Sequence, residues 1–450
     1  MTHRLTATKL AAASLLAVSV FSLGGCETFD QFITPGTKVN IRGERVSVLP
    51  SARVIEADPK LADEPVRLPK PVVNADWPQP GGYADNVMHH LSAAGGLERV
   101  WGSSVGAGST TASRLTASPV ISGGKIFVLD SEVNVSAYDL KDGDRLWRAD
   151  LTPDDEDAED GFGGGVAVDN GRVFVSTGFG FVAALDANSG KQIWRRAATV
   201  PFRAAPVVNG GRVFVATQEN QLLALAEDDG RVLWDHRGIA ESAGILGSNS
   251  VAVSGDLVVV PYTSGELFAL NVRNGRPAWN DTLARTSGLT PLSSLADISG
   301  RPVIDRGVVF ANSHAGRLVA IDIRTGERVW TIDVGGTQRP WVVGDYVYVI
   351  TDDAQVLCVR RADGRIRWIR QLDAFRNKEG RRGAIAWSGP VLVSDRLIAL
   401  SSEGYAVSIS PYTGEILGQI DIPDKAFIAP IVANNTVYIL TDDARLTALK

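Results

Sequence analysis

Side chains able to do chemistry are few and scattered. Only five histidines (His3, His89, His90, His236 and His314) and two cysteines (Cys26 and Cys358) occur in 450 residues. His89 and His90 are adjacent; on a strand, neighbours point to opposite faces, so they lack the spacing of zinc ligands. His236 and His314 are isolated. Residues 102–106 read Gly-Ser-Ser-Val-Gly and match Gly-x-Ser-x-Gly. A nucleophile elbow at Ser104 needs a strand, a sharp turn and then a helix, and no helical period follows it. Residues 154–160 (DDEDAED) form an acidic run without the glycine position of a calcium loop, so it reads as a solvated, self-repelling loop. Residues 376–382 (RNKEGRR) read as its basic, solvated counterpart. The formal net charge of −6 provides no basic footprint for nucleic acid. The residues thus point to no catalytic group, no metal site and no bound cofactor.

The elements that would position any site are dictated by a repeat. A glycine followed four positions later by tryptophan recurs as Gly143/Trp147, Gly190/Trp194, Gly230/Trp234, Gly275/Trp279, Gly326/Trp330 and Gly364/Trp368. A seventh copy keeps Gly414 but has Gly418 in the tryptophan position. The tryptophans are 47, 40, 45, 51 and 38 residues apart. Periods of this size belong to four-stranded propeller blades. Within one repeat, residues 206–208, 212–217 and 221–226 are strand-like and are separated by Asn209-Gly210-Gly211, by residues 218–220 and by Asp228-Asp229-Gly230. The repeated glycine suits a left-handed turn position, and the tryptophan, on the outer strand, fills the gap between neighbouring blades.

The last repeat, residues 429–449, has three strands and no outer one, whereas residues 97–101 (LERVW) form an outer strand with no blade before it. Joining the two removes the exposed sheet edges. The expected fold is all-β: an eight-bladed propeller over residues 95–450, with four-stranded antiparallel blades and the last blade closed by an N-terminal strand. At the N-terminus, Arg4 and Lys9 precede an uncharged run over 10–23, which is too short to span a bilayer and suits a signal-peptide core. Leu23-Gly24-Gly25-Cys26 resembles a bacterial lipobox, which implies a signal peptide over 1–25 and lipidation of Cys26. Glu27 follows, and the resemblance then favours the outer membrane. Residues 26–94 hold eight prolines and read as a semi-extended tether, except that Trp77 is expected to dock on the ring. Cys358, in Val356-Leu357-Cys358-Val359, reads as a small buried strand residue.

The segments 184–194 (ALDANSGKQIW) and 320–330 (AIDIRTGERVW) resemble the repeat of pyrroloquinoline-quinone (PQQ) propellers. Two groups share that repeat: quinoprotein dehydrogenases and the BamB family of outer-membrane assembly lipoproteins. Lipobox, tether and compact ring together resemble BamB. This implies a non-enzymatic scaffold, lipid-anchored at the periplasmic face of the outer membrane. It would bind the barrel-forming subunit BamA and other Bam subunits, and could meet unfolded outer-membrane protein precursors. The family's contact to BamA resembles a hydrophobic-x-hydrophobic-Arg loop with an Asp-x-Asp loop nearby. Here these are Val200-Pro201-Phe202-Arg203 and Asp297-Ile298-Ser299, where serine replaces the second aspartate. The resemblance makes Val200, Phe202, Arg203, Asp297 and Ser299 the expected partner-binding residues. The alternatives are a PQQ-dependent oxidoreductase or another periplasmic binding propeller. Dehydrogenases of that type resemble one another in an adjacent cysteine pair, which this chain does not have.

Overall fold

In the computed structural model, short alternating segments bounded by tight glycine turns become strands of three to seven residues. The structure describes residues 55–161, 163–241, 250–284 and 297–450. Cys26, the signal peptide and the first half of the expected tether lie outside the described residues. Eight four-stranded antiparallel sheets form, and in seven of them each strand is bonded to the next in sequence. Blade 3 shows the pattern: Val207–Asn209, Arg212–Ala216, Gln221–Ala226 and Val232–Arg237. Its first turn pairs Asn209 with Arg212 around Gly210 and Gly211, which have φ of 57° and 75°. Those angles belong to the hairpin turns that match strand twist. Blades 1, 2 and 4 to 7 repeat the order, and an additional exposed hairpin, Phe375–Asn377 with Arg382–Ala384, sits between blades 6 and 7.

Blade 8 is built from both sides of the sequence. Ile431–Ala433, Thr436–Leu440 and Arg445–Leu449 are completed by Arg99–Ser104, whose Trp101 lies opposite Ala448. Closure by an N-terminal strand therefore occurs as expected and leaves no gap in the ring. The Gly-x-Ser-x-Gly segment falls on this closing strand, with Ser104 paired to Arg445.

The seams between blades explain the glycine–tryptophan repeat. Each tryptophan of one blade lies on the turn glycine of the next: a Cβ on Gly190 would sit 2.6 Å from the Trp147 ring, and one on Gly230 2.6 Å from Trp194. The indole N–H donates to a carbonyl of that same turn region, Trp147 to Ala187 (3.1 Å) and Trp234 to Val272 (2.9 Å). The ring also tilts against an aromatic of its own blade, as Trp194 does on Phe174 at 6.0 Å. The six repeat tryptophans thus bury a large apolar surface while each satisfies its one polar atom.

The compact unit begins at Glu56, not at residue 95. Prolines prevent regular structure over 56–94 but do not prevent packing, and this stretch is laid on the ring. Residues 58–64 bind the two outer strands of blade 6, through Asp58 N–H to the Ile366 carbonyl (2.8 Å) on the fourth and Arg360 of the third to Glu64 (2.9 Å). Residues 74–94 then travel once around the axis. Trp77 exchanges two backbone hydrogen bonds with Ile121 of blade 1, and the Pro78 carbonyl accepts from Val168 of blade 2. The Gln79 side chain bonds Val208 of blade 3, while Ala84 and Asp85 accept from Val253 of blade 4 and Ile304 of blade 5. Trp341 of blade 6 donates to His89, Leu91 pairs with Leu392 and Ser394 of blade 7, and Asn74 and Ala94 bond blade 8. The strap pairs the inward-facing edges of the innermost strands, which an open channel would expose. Trp77 is buried at its centre, docked as the sequence led us to expect.

Candidate functional site

In an antiparallel four-stranded blade, the turn between strands two and three lies at the same end as the connection to the next blade. The inter-blade segments therefore share one face of the ring, opposite the strap. The two loops singled out by the resemblance both lie there: residues 198–206 lead into blade 3 and residues 297–302 into blade 5.

The first loop is tied down on both sides. Phe202 N–H donates to Thr177 of blade 2, and Gln218 N–H of blade 3 donates to the Pro201 carbonyl. Phe202 forms an isolated bridge with Thr217 and is 0% exposed, packed with Phe174, Trp194, Val215 and Leu223. Arg203 reaches away from this seam. Its guanidinium lies 3.6 Å from the Asp297 carboxylate and contacts the Pro261 carbonyl of blade 4 at 3.4 Å. The arginine side chain is 9% exposed and the aspartate 1%. Burial pulls the Arg203 pKa down, and Asp297 opposes that shift. The carboxylate that Arg203 pairs with is thus one of its own chain. This ion pair joins the loops before blades 3 and 5, and breaking it would strand a buried charge.

The structure brings all five expected residues into this region but gives them different exposures. Val200 and Ser299 are half-buried, and Pro201 is exposed. Phe202 and Asp297 are enclosed, so in this conformation they support the loops and offer no surface of their own. His314, unremarkable in sequence, belongs to the same neighbourhood. Its backbone N–H donates to the Asp297 carbonyl (3.1 Å), and its Nδ1 lies 3.0 Å from Asp352 of blade 6. The hydrogen bond to Asp352 raises its pKa. No period or motif marks this residue, because its role is fixed by a contact between blades.

Other chemistry-bearing residues are placed elsewhere. Cys358 is fully buried opposite Trp368, and burial raises its thiol pKa. His236 stacks on Tyr262, with Nδ1 2.9 Å from the phenol oxygen. Among the described residues, no three acidic, histidine or cysteine side chains are grouped as metal ligands would be. The acidic run includes a short 3-10 turn, Ala158–Gly161, and is largely exposed.

An eight-bladed ring of this repeat, closed by an N-terminal strand, defines the class: a PQQ-repeat β-propeller. The family model described as "Outer membrane protein assembly factor BamB" matches residues 44–160 and 132–370. The chain belongs to the BamB family. Outer membrane protein assembly factor BamB of Salmonella typhimurium is 30% identical over 355 residues, covering 78% of this chain and 88% of the relative. That of Xanthomonas campestris is 30% identical over 360 residues, covering 79% and 86%. An uncharacterized protein of Rickettsia prowazekii is 28% identical over 272 residues, a match that covers 60% of this chain and 65% of that relative. Among solved structures, BamB from Moraxella catarrhalis superimposes with a TM-score of 0.65 at 20% identity, covering 79% of this chain and 99% of that one. A quinohemoprotein alcohol dehydrogenase from Pseudomonas putida reaches 0.63 at 14% identity, covering 84% and 80%. At these identities both structural likenesses speak for the fold alone.

Proposed function

We propose that this chain is a non-enzymatic scaffold in the assembly of outer-membrane proteins. Lipidated Cys26 holds it at the periplasmic face of the outer membrane, and the segment up to residue 55 links the anchor to the ring. The loop face binds the periplasmic domains of a BamA-type subunit, leaving the rest of the ring to other Bam subunits or to unfolded precursors. Membership of the BamB family supports the role. The observation that carries the site is the Arg203–Asp297 ion pair, which fixes two loops of separate blades into one surface.

On this reading Val200 and Ser299 touch the partner, while Phe202, Arg203 and Asp297 hold them in place. The test must respect that division. Removing the Phe202 ring would leave a core cavity costing about 3–5 kcal/mol, so lost binding would be ambiguous. Val200→Glu changes a half-buried position of the first loop, whereas the Ser299 hydroxyl is itself enclosed. The full-length lipoprotein carrying Val200→Glu, extracted in mild detergent, is expected to keep its melting temperature and to lose most of the co-purifying BamA. Wild-type recovery of BamA with this variant removes Val200 from the interface.

A further inference from the structure

On the loop face the axis of the ring forms a cavity of about 230 Å³. Its floor is made of Trp77 and Pro80 of the strap, and Leu115, Val391, Ile428 and Ile431 contribute apolar wall. Two arginines, Arg301 and Arg339, also line it, and none of its lining residues is acidic. Two other enclosed arginines find carboxylates: Arg203 has Asp297, and Arg361 has Asp305. Arg301 has none among the described residues. Its contacts to the Pro80 carbonyl (3.5 Å) and Ser118 Oγ (3.4 Å) are at the outer limit of hydrogen bonding. Its enclosed Nε has no partner among the described residues. Arg339 donates to the Gly81 and Asn86 carbonyls, and its guanidinium lies over Trp341 and Trp77, 4.9 and 5.7 Å from the ring centroids. The carboxylate that acts on Arg339 is Asp85, an oxygen of which accepts from Val87 N–H. Burial pulls Arg301 down to about 10; burial, then repulsion from Arg301, pulls Arg339 down to about 9. Both stay charged at neutral pH. Holding two like charges together in a desolvated space is unfavourable, and an anion bound between them would relieve it.

We infer that this axial cavity binds a small organic carboxylate, its head group bridging Arg301 and Arg339 and its apolar body lying against Trp77, Leu115 and Ile431. Guanidinium groups present paired N–H donors that match a carboxylate, and the apolar walls favour an organic body over a bare inorganic anion. Ser299 of the candidate contact loop also lines this cavity, but the inference rests on the two arginines and the apolar wall.

The test is a ¹⁹F NMR titration of 4-fluorobenzoate with the full-length lipoprotein in detergent, beside its neutral counterpart 4-fluorobenzyl alcohol and inorganic phosphate. Saturable broadening is expected for the carboxylate alone, with a rise in melting temperature as it saturates. Arg301→Gln should weaken binding at least tenfold. Gln338→Glu serves as the second, near-isosteric variant, because Gln338 lines the same cavity. It supplies an internal counter-ion and should abolish binding while raising the melting temperature. The inference is overturned if the wild type shows no saturable binding, if the alcohol or phosphate binds as well as the carboxylate, or if 4-fluorobenzoate binds both variants as it binds the wild type.

Discussion

Each tryptophan of the repeat stands opposite a small residue across its own sheet, and this ties several unrelated-looking positions together. Trp147, Trp194, Trp234, Trp279 and Trp330 face Ala137, Ala184, Ala224, Ala269 and Ala320; Trp368 faces Cys358. Cys358 therefore acts as an alanine-sized filler beneath an indole. The glycine–tryptophan spacing was legible from sequence, because one residue type marked each end. The reason for Gly418 was not. A tryptophan of blade 7 would have to lie on the turn between strands three and four of blade 8, but those strands, Arg445–Leu449 and Arg99–Ser104, are joined by no hairpin. With no turn glycine to receive an indole, Gly418 is exposed with open space around it. The same logic separates two glycines that conformation alone would treat alike. Gly123 (φ 57°) and Gly190 (φ 70°) are both left-handed. An added Cβ meets nothing at Gly123 and the Trp147 ring at Gly190. Gly123→Ala should cost about 1 kcal/mol, the backbone penalty alone. Gly190→Ala should cost clearly more, roughly 2–4 kcal/mol, because a half-buried, hydrogen-bonded indole must also move. Chemical denaturation of the two variants checks this, and equal losses would contradict the seam packing.

At the scale of elements, the blades were readable because alternation, turn residues and period agree, and because each strand pairs with its neighbour in sequence. The hairpin Phe375–Asn377 with Arg382–Ala384 was not; its charged residues read as solvated loop, and its pairing involves only short strands. Contacts between blades were equally silent in sequence, since they join residues of different repeats. The His314–Asp352 pair links the second-to-third-strand turns of blades 5 and 6 beside the candidate contact loops. Asp352 raises the His314 pKa through their hydrogen bond; partial burial opposes this, and Asp297 adds to the increase. A raised folded-state pKa stabilises the fold fully below the unfolded value, near 6.5, and this is lost as pH rises through the folded value. His314→Gln should therefore lower the melting temperature more at pH 5.5 than at pH 8.5. A series of melting curves across that interval would show it, and a pH-independent difference would mean that the pair contributes only packing.

At the scale of the whole molecule, the ring and its closing strand were legible, whereas the strap was not. A proline-rich chain without periodicity reads as a tether, and nothing in residues 74–94 indicates that their backbone and side chains contact the inner strands of all eight blades. Only Trp77, an aromatic among turn formers, marked the docking. The consequence is a prediction: residues 95–450 alone do not suffice for a stable propeller. A chain starting at residue 95 loses the Trp77–Ile121 and Leu91–Ser394 backbone bonds and the Asn86 side chain, which donates to the Val251 and Pro302 carbonyls of neighbouring blades. It also uncovers Trp341, which stacks near Trp77 with centroids 6.5 Å apart, and leaves Arg339 without its strap carbonyls. Buried groups deprived of partners cost about 1–3 kcal/mol each, and the strap supplies several. A chain starting at residue 56 keeps every one of these contacts. The shorter chain should melt at least 10 °C below the longer one or fail to fold, whereas the longer chain should match the full-length protein. Equal melting of the two truncations would mean that the ring tolerates open inner edges and that the strap adds nothing to its stability.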